Sequence, residues 1–158
     1  MEQGKSKTVS ESKIEMHEMV LPNDTNLLGN LLGGRLMHLV DIAGAMAASR
    51  HANRIVATAS IDSVDFHQPV KLGELVYLKA RLTWVGKTSM EVLVEVFSED
   101  YINGVCTFTN RAYLTFVSLD EEGKPARVPR LVPETDSERA EYRAAEQRRT
   151  ERLKRNNR

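Results

Sequence analysis

Residues 35–51 read RLMHLVDIAGAMAASRH, and the fold follows from how this stretch has to be buried. Leu36, Val40, Ala43 and Ala47 recur at i, i+4, i+7 and i+11, one stripe of an α-helix. Leu39, Ile42 and Met46 add a second apolar row. The spacing therefore predicts a helix that is apolar around most of its girth and is wrapped by other structure. Its alanines and Gly44 keep it slim, so a sheet can approach closely.

The flanking sequence supplies that sheet. Before the helix, residues 13–21 (KIEMHEMVL) alternate Ile14 and Met16 with Glu15 and His17, and Pro22, Asn23 and Asp24 turn the chain. After it come four β-type runs, 54–66, 74–85, 89–98 and 107–119, with turn signals at Gly86-Lys87 and Asn103-Gly104. In 89–98, Met90, Val92, Val94 and Val96 alternate with Glu91, Leu93, Glu95 and Phe97. Runs of ~10–13 residues exceed the ~5–6 of an average strand and predict a large, curved antiparallel sheet. The expected class is α+β, one long helix wrapped by one curved sheet.

Composition limits what such a domain does. The chain has 158 residues, 22 Lys+Arg against 22 Asp+Glu and 41% hydrophobic residues, enough for one real core. Zero net charge argues against nucleic-acid or membrane-surface binding. No run approaches the ~18 apolar residues of a spanning helix, and one cysteine, Cys106, makes no internal disulfide. The expectation is a cytoplasmic protein without metal or cofactor, because His17, His38, His51 and His67 lack metal-ligand spacing. Ser60, Ser63 and Ser89 have no nucleophile-elbow context. Three zones are expected: a flexible N-terminus over 1–12, the domain over 13–132, and a charged C-terminal helix over 133–158. The last zone opens with Pro133, Glu134 and Asp136 and ends in Arg148, Arg149, Arg152, Lys154 and Arg155. It reads as a solvated helix, or as one that docks on a neighbour or carries positive charge to a phosphate-bearing ligand.

Chemistry concentrates in residues 22–44, PNDTNLLGNLLGGRLMHLVDIAG. Gly29, Gly33 and Gly34 precede the helix, whose unpaired N–H groups suit an anion or a developing oxyanion. A tight turn explains the glycines equally well. Asp41 interrupts an apolar helix, where a carboxylate is costly unless paired or functional. It reads as a general base, or as an acid facing a wet crevice or an oligomer interface. Asn30 can hydrogen-bond a carbonyl or a water, and is also an ordinary turn residue.

The segment 22–52, continuing through IVATASIDSVDFHQPVKLGE, GKTSMEVLVEV, AYLTFVSLDEEGK and VPRLVPET, resembles the hotdog-fold acyl-CoA thioesterases of the brain-type acyl-CoA hydrolase branch. The likeness covers roughly residues 14–136 in one register. It implies a hotdog fold and hydrolysis of fatty acyl-CoA, with CoA as part of the substrate and no cofactor. It implies that Asn30, in the G-N-x-x-G-G segment, acts with Asp41 across a homodimer interface, and that dimers assemble further as trimers of dimers. The N–H of Gly34 is the expected oxyanion donor. Lys87, Thr88 and Ser89 match the family's loop near CoA, with Arg127 and Arg130 as further phosphate candidates. A non-catalytic CoA- or nucleotide-binding regulatory module is the alternative on the same fold.

Overall fold

The computed structural model describes residues 5–62 and 68–156. Helix α2, Gly33–Ala52, lies against a five-stranded antiparallel sheet built from β2 (Ile14–Met19), β3 (Val56–Asp62), β4 (Leu75–Val85), β5 (Ser89–Asp100) and β6 (Val105–Ser118). The strand order is β2-β4-β5-β6-β3, so β3 forms one edge. The expected α+β architecture of a helix wrapped by a curved sheet is the one observed.

Alternation decides which sheet face meets the helix. Val76, Leu78, Ala80 and Leu82 of β4, Met90, Val92, Val94 and Val96 of β5, and Ala112, Leu114 and Phe116 of β6 are all buried beneath α2. Gly44 shows how tight that packing is. A Cβ added there would stand 3.0 Å from the Cε2 and Cζ atoms of Phe116, itself fully buried. Gly44→Val is expected to destabilise the fold by about 1–3 kcal/mol, the usual cost of overpacking, measured by urea unfolding. Unchanged stability would show that α2 is not held at this distance.

The helix is not apolar-buried all round. Ile42 and Met46 are more than a third exposed within the single chain, while Val40, Ala43 and Ala47 are sealed. Among the described residues, one face of α2 is left uncovered and no strand pairs with the outer edge of β3.

Residues 6–12 depart from the expectation of a frayed end. They form β1 (Ser6–Thr8), parallel to β7 (Arg130–Val132), and a helical turn α1 (Val9–Ser12) that buries Val9 and Ser12. Lys7 Nζ donates to the carbonyl of Arg50 and to Asn53 Oδ1 at the end of α2. Cationic density there suits the negative helix terminus.

His51, near the same end, is buried, and its Nε2 lies 2.8 Å from the Pro129 carbonyl. Burial holds its pKa below the usual histidine value. The folded state therefore resists protonating His51, whereas the unfolded chain takes the proton near pH 6.5. This contribution to stability is complete above pH 6.5 and is lost as pH falls below it. A Tm that declines below that pH, with a shallower decline in His51→Gln, is the expected result. Identical pH slopes for the two proteins would remove His51 from the account.

The C-terminal zone forms α3, Asp136–Asn156, with Ala145 buried. One face of it packs on the chain's own sheet, on the side opposite α2, while most of its residues stay exposed. Arg81 bridges Glu141 (2.6 Å) and Glu95 (2.9 Å), and Arg148 grips the fully buried Glu91 at 2.8 and 3.0 Å. Arg148 and Arg149 also stack on Tyr113 and Trp84.

Candidate active site

Two groups of the expected residues stand at opposite ends of the sheet. At the first end the chain leaves β2 through a 3₁₀ turn, Pro22–Asp24, and enters α2 at Gly33. A cleft of about 320 Å³ opens there, lined by Asn26, Asn30, Gly33, Leu36, Gln68 and Val70. Leu32 at the N-cap offers no side-chain cap, so among the described residues the first N–H groups of α2 remain available to a ligand. Gly34 is exposed, and a Cβ on it would meet nothing within 4 Å. Helical glycine costs about 1 kcal/mol relative to alanine, and among the described residues no close contact requires it here.

Asn26, which the sequence reading did not single out, is the anchored asparagine of this cleft. Its Oδ1 accepts from the backbone N–H of Leu28 (2.9 Å) and of Asn30 (3.1 Å). With the oxygen engaged, the amide N–H₂ is the end left to donate. Asn30 enters the cleft wall through its backbone, bridged to Lys71 and to Asn26.

Asp41 is elsewhere. Seven residues beyond Gly34, it lies about 10 Å further along the helix axis. It is half-buried, and its Oδ1 accepts a 2.7 Å hydrogen bond from the Thr58 hydroxyl of β3. A register shift between Thr58 and Ser60 makes this possible. Thr58 pairs with inward-facing Phe116, whereas Ser60 pairs with Thr115. Without the bulge both would face one side. The structure therefore brings Asn30 and Gly34 to one end of α2, and within one chain joins neither to Asp41.

The cationic candidates gather at the end where β3 begins. The Lys87 carbonyl accepts from Val128 N–H and the Thr88 carbonyl from Ser118 N–H, which places exposed Lys87 beside the segment carrying exposed Arg127. Arg130 is exposed at the start of β7. Ser89 differs: its hydroxyl already accepts from Arg149 of α3 at 3.1 Å.

A helix with an uncapped, glycine-rich N-terminus, an inner carboxylate and a wrapping antiparallel sheet is the arrangement of a hotdog-fold thioesterase. The Thioesterase superfamily matches residues 28–103. An uncharacterised acyl-CoA thioester hydrolase of Bacillus subtilis is 43% identical over 98% of this chain and 90% of its own length. The rat cytosolic acyl coenzyme A thioester hydrolase is 35% identical over 85% of this chain, which spans 36% of that longer protein. The acyl-CoA hydrolase of Staphylococcus aureus, solved in complex with butyryl-CoA, CoA and CoA disulfide, superimposes with a TM-score of 0.89 at 42% identity, covering 96% of this chain and 92% of that one. Alanine variants of one aspartate, one threonine and one asparagine of that enzyme have also been solved. An apo-hexameric acyl-CoA thioesterase matches with a TM-score of 0.92 and 42% identity, over 96% and 97% of the two chains. The chain belongs to the hotdog-fold acyl-CoA thioester hydrolase family.

Proposed function

We propose that this protein hydrolyses fatty acyl-CoA to the free acid and CoA, at sites shared between two subunits. The observation that carries the proposal is Asp41: a half-buried carboxylate, held by Thr58, on the side of α2 left uncovered next to an open edge strand. A second copy laid against that side would cover Ile42 and Met46. It would also bring its own amide cleft to Asp41. Three such dimers would make a hexamer, the state of the apo-hexameric relative.

In this reading Asp41 takes a proton from water, and the water oxygen attacks the thioester carbon. The carbonyl oxygen becomes an oxyanion held by the N–H of the partner subunit's Gly34. Collapse of that intermediate breaks the C–S bond, and the CoA thiolate takes the proton back from Asp41. Direct attack by Asp41, giving an anhydride that water then opens, uses the same groups.

The asparagine that positions water or substrate oxygen is Asn26 in this proposal, with Asn30 beside it. The three residues replaced in the S. aureus enzyme are separated by the same intervals as Asn26, Asp41 and Thr58. Lys87 and Arg127 would meet the CoA phosphates, with Arg130 further along. Thr88 would lie near the pantetheine, and Ser89 would serve through its bond to Arg149.

The test is a hydrolysis panel over acyl-CoA chain length, following released thiol. Turnover of at least one chain-length class is expected. A folded, oligomeric protein that binds acyl-CoA but releases no thiol from any of them would overturn the proposal in favour of the non-catalytic module.

A further inference from the structure

We propose that Leu27 and Leu28 form an apolar knob that seats on Ile42 and Met46 of a second copy of this chain, and that this contact sets Asn26 against the partner's Asp41. The inference rests on the shared-site reading above and adds the two surfaces that align the site. Leu27 is fully exposed and Leu28 is 83% exposed, more than any other large apolar side chain among the described residues. Turn tips are normally built from Gly, Pro, Asn, Asp or Ser, so the turn itself does not account for two adjacent leucines.

The knob is a braced hairpin tip. Thr25 and Leu31 form an antiparallel bridge at its base, and the Asn26 N–H donates to the Asn30 carbonyl at 2.9 Å. The Gly29 N–H returns to the Asn26 carbonyl at 3.0 Å, and the φ of 79° at Gly29 closes the turn. The Leu72 N–H holds the Gly29 carbonyl from outside at 2.8 Å, and Arg35 of α2 reaches Asp24 below at 3.3 Å. Because Asn26 Oδ1 takes the N–H of Leu28, the asparagine and the knob are one hydrogen-bonded unit. Fixing the leucines therefore fixes Asn26.

The complementary surface is on α2, where Ile42 and Met46 stand one turn apart on the uncovered face beside Asp41. Within one chain the two surfaces do not meet, since Met46 lies about 18 Å along the helix axis from Gly34, the end at which the hairpin sits. Each patch directly follows a candidate catalytic residue, Asn26 before Leu27 and Asp41 before Ile42. A two-fold contact is isologous: if the knob of one chain meets the α2 patch of the other, the reverse contact forms as well. One rotation then covers both patches on both chains and brings each Asn26 to the partner's Asp41. An acyl chain lying on the leucines would leave Ile42 and Met46 uncovered, which favours the second copy as occupant.

Cross-linking tests the contact without turnover. Cys106, the one native cysteine, is removed as Cys106→Ser, and Leu28→Cys is combined with Met46→Cys in the full-length protein. Mild oxidation is expected to give a covalent dimer on a non-reducing gel. Two controls should run as single chains: Leu28→Cys alone, and Leu28→Cys with Ile102→Cys at the exposed β5–β6 turn. No covalent dimer from the Leu28–Met46 pair, or one formed equally by either control, overturns the inference. The aligning role is read from kinetics, at concentrations where light scattering shows the assembled protein. Leu27→Ser with Leu28→Ser should lower kcat by about 10–100-fold with KM nearly unchanged, the effect of a misplacement near 1 Å, and Leu27→Met with Leu28→Met should restore it. A raised KM for long acyl chains with kcat intact would assign the leucines to the substrate and overturn the inference. Covalent dimers in a protein that releases no thiol would sink the hydrolysis reading alone, and hydrolysis without the cross-link would sink the knob alone.

Discussion

Asp41→Ala is expected to lower acyl-CoA hydrolysis by about 10²–10⁴-fold, the usual scale for a general base. Asp41→Asn should fall nearly as far, because an amide still accepts the Thr58 hydroxyl but takes no proton from water. Both variants should stay folded, since Asp41 is half-buried and, among the described residues, its hydrogen bond is to the Thr58 side chain alone. The sharing of sites is tested by mixing Asp41→Ala subunits with Asn26→Ala subunits. In a mixed dimer one site receives both defects and the other receives neither. Partial recovery of activity is expected, and verified mixed dimers that stay inactive would place both residues in one subunit's site. Repeating the mixture with Asn30→Ala shows which asparagine does the work.

The second large effect is on stability. Glu91 is fully buried, held by Arg148 through two hydrogen bonds and by the Thr83 hydroxyl at 2.6 Å. Arg148→Ala strands that carboxylate beneath α3 and is expected to cost about 3 kcal/mol, toward the low end for a broken buried pair because Arg152 remains 3.7 Å away. Removing both charges together, as Glu91→Leu with Arg148→Met, should cost less than Arg148→Ala alone, because no charge is then left uncompensated. Urea unfolding at one protein concentration measures both. A double variant less stable than the single would show that the pair is worth more than its burial.

Much of the fold was legible because apolar periodicity reports burial directly. The stripe from Leu36 to Ala47 marks the face of α2 that the sheet covers, and the alternation from Met90 to Phe97 marks the two faces of β5. What misled was burial supplied by another element. Glu91 alternates with the core-facing valines of β5, yet it is fully buried because Arg148 of α3 folds over it. Conversely, Ile42 and Met46 read as core and are partly exposed in the single chain.

The site divides in the same way. Asp41 stood out by itself, since a carboxylate within an apolar helix is costly anywhere, and the glycines before α2 marked a helix start whatever followed. Thr58 did not stand out. In a period-2 strand it shares a face with Ser60, and only the irregularity between them turns one towards Asp41 and the other towards α3. Asn26 did not stand out either, because what marks it is an oxygen bonded to two backbone N–H groups. Local pattern was enough for the helix, the sheet and the acid, because each follows from neighbours in sequence. The aim of Thr58, the anchoring of Asn26 and the destination of the arginines on α3 depend on contacts between segments far apart in the chain, which only the packed structure sets.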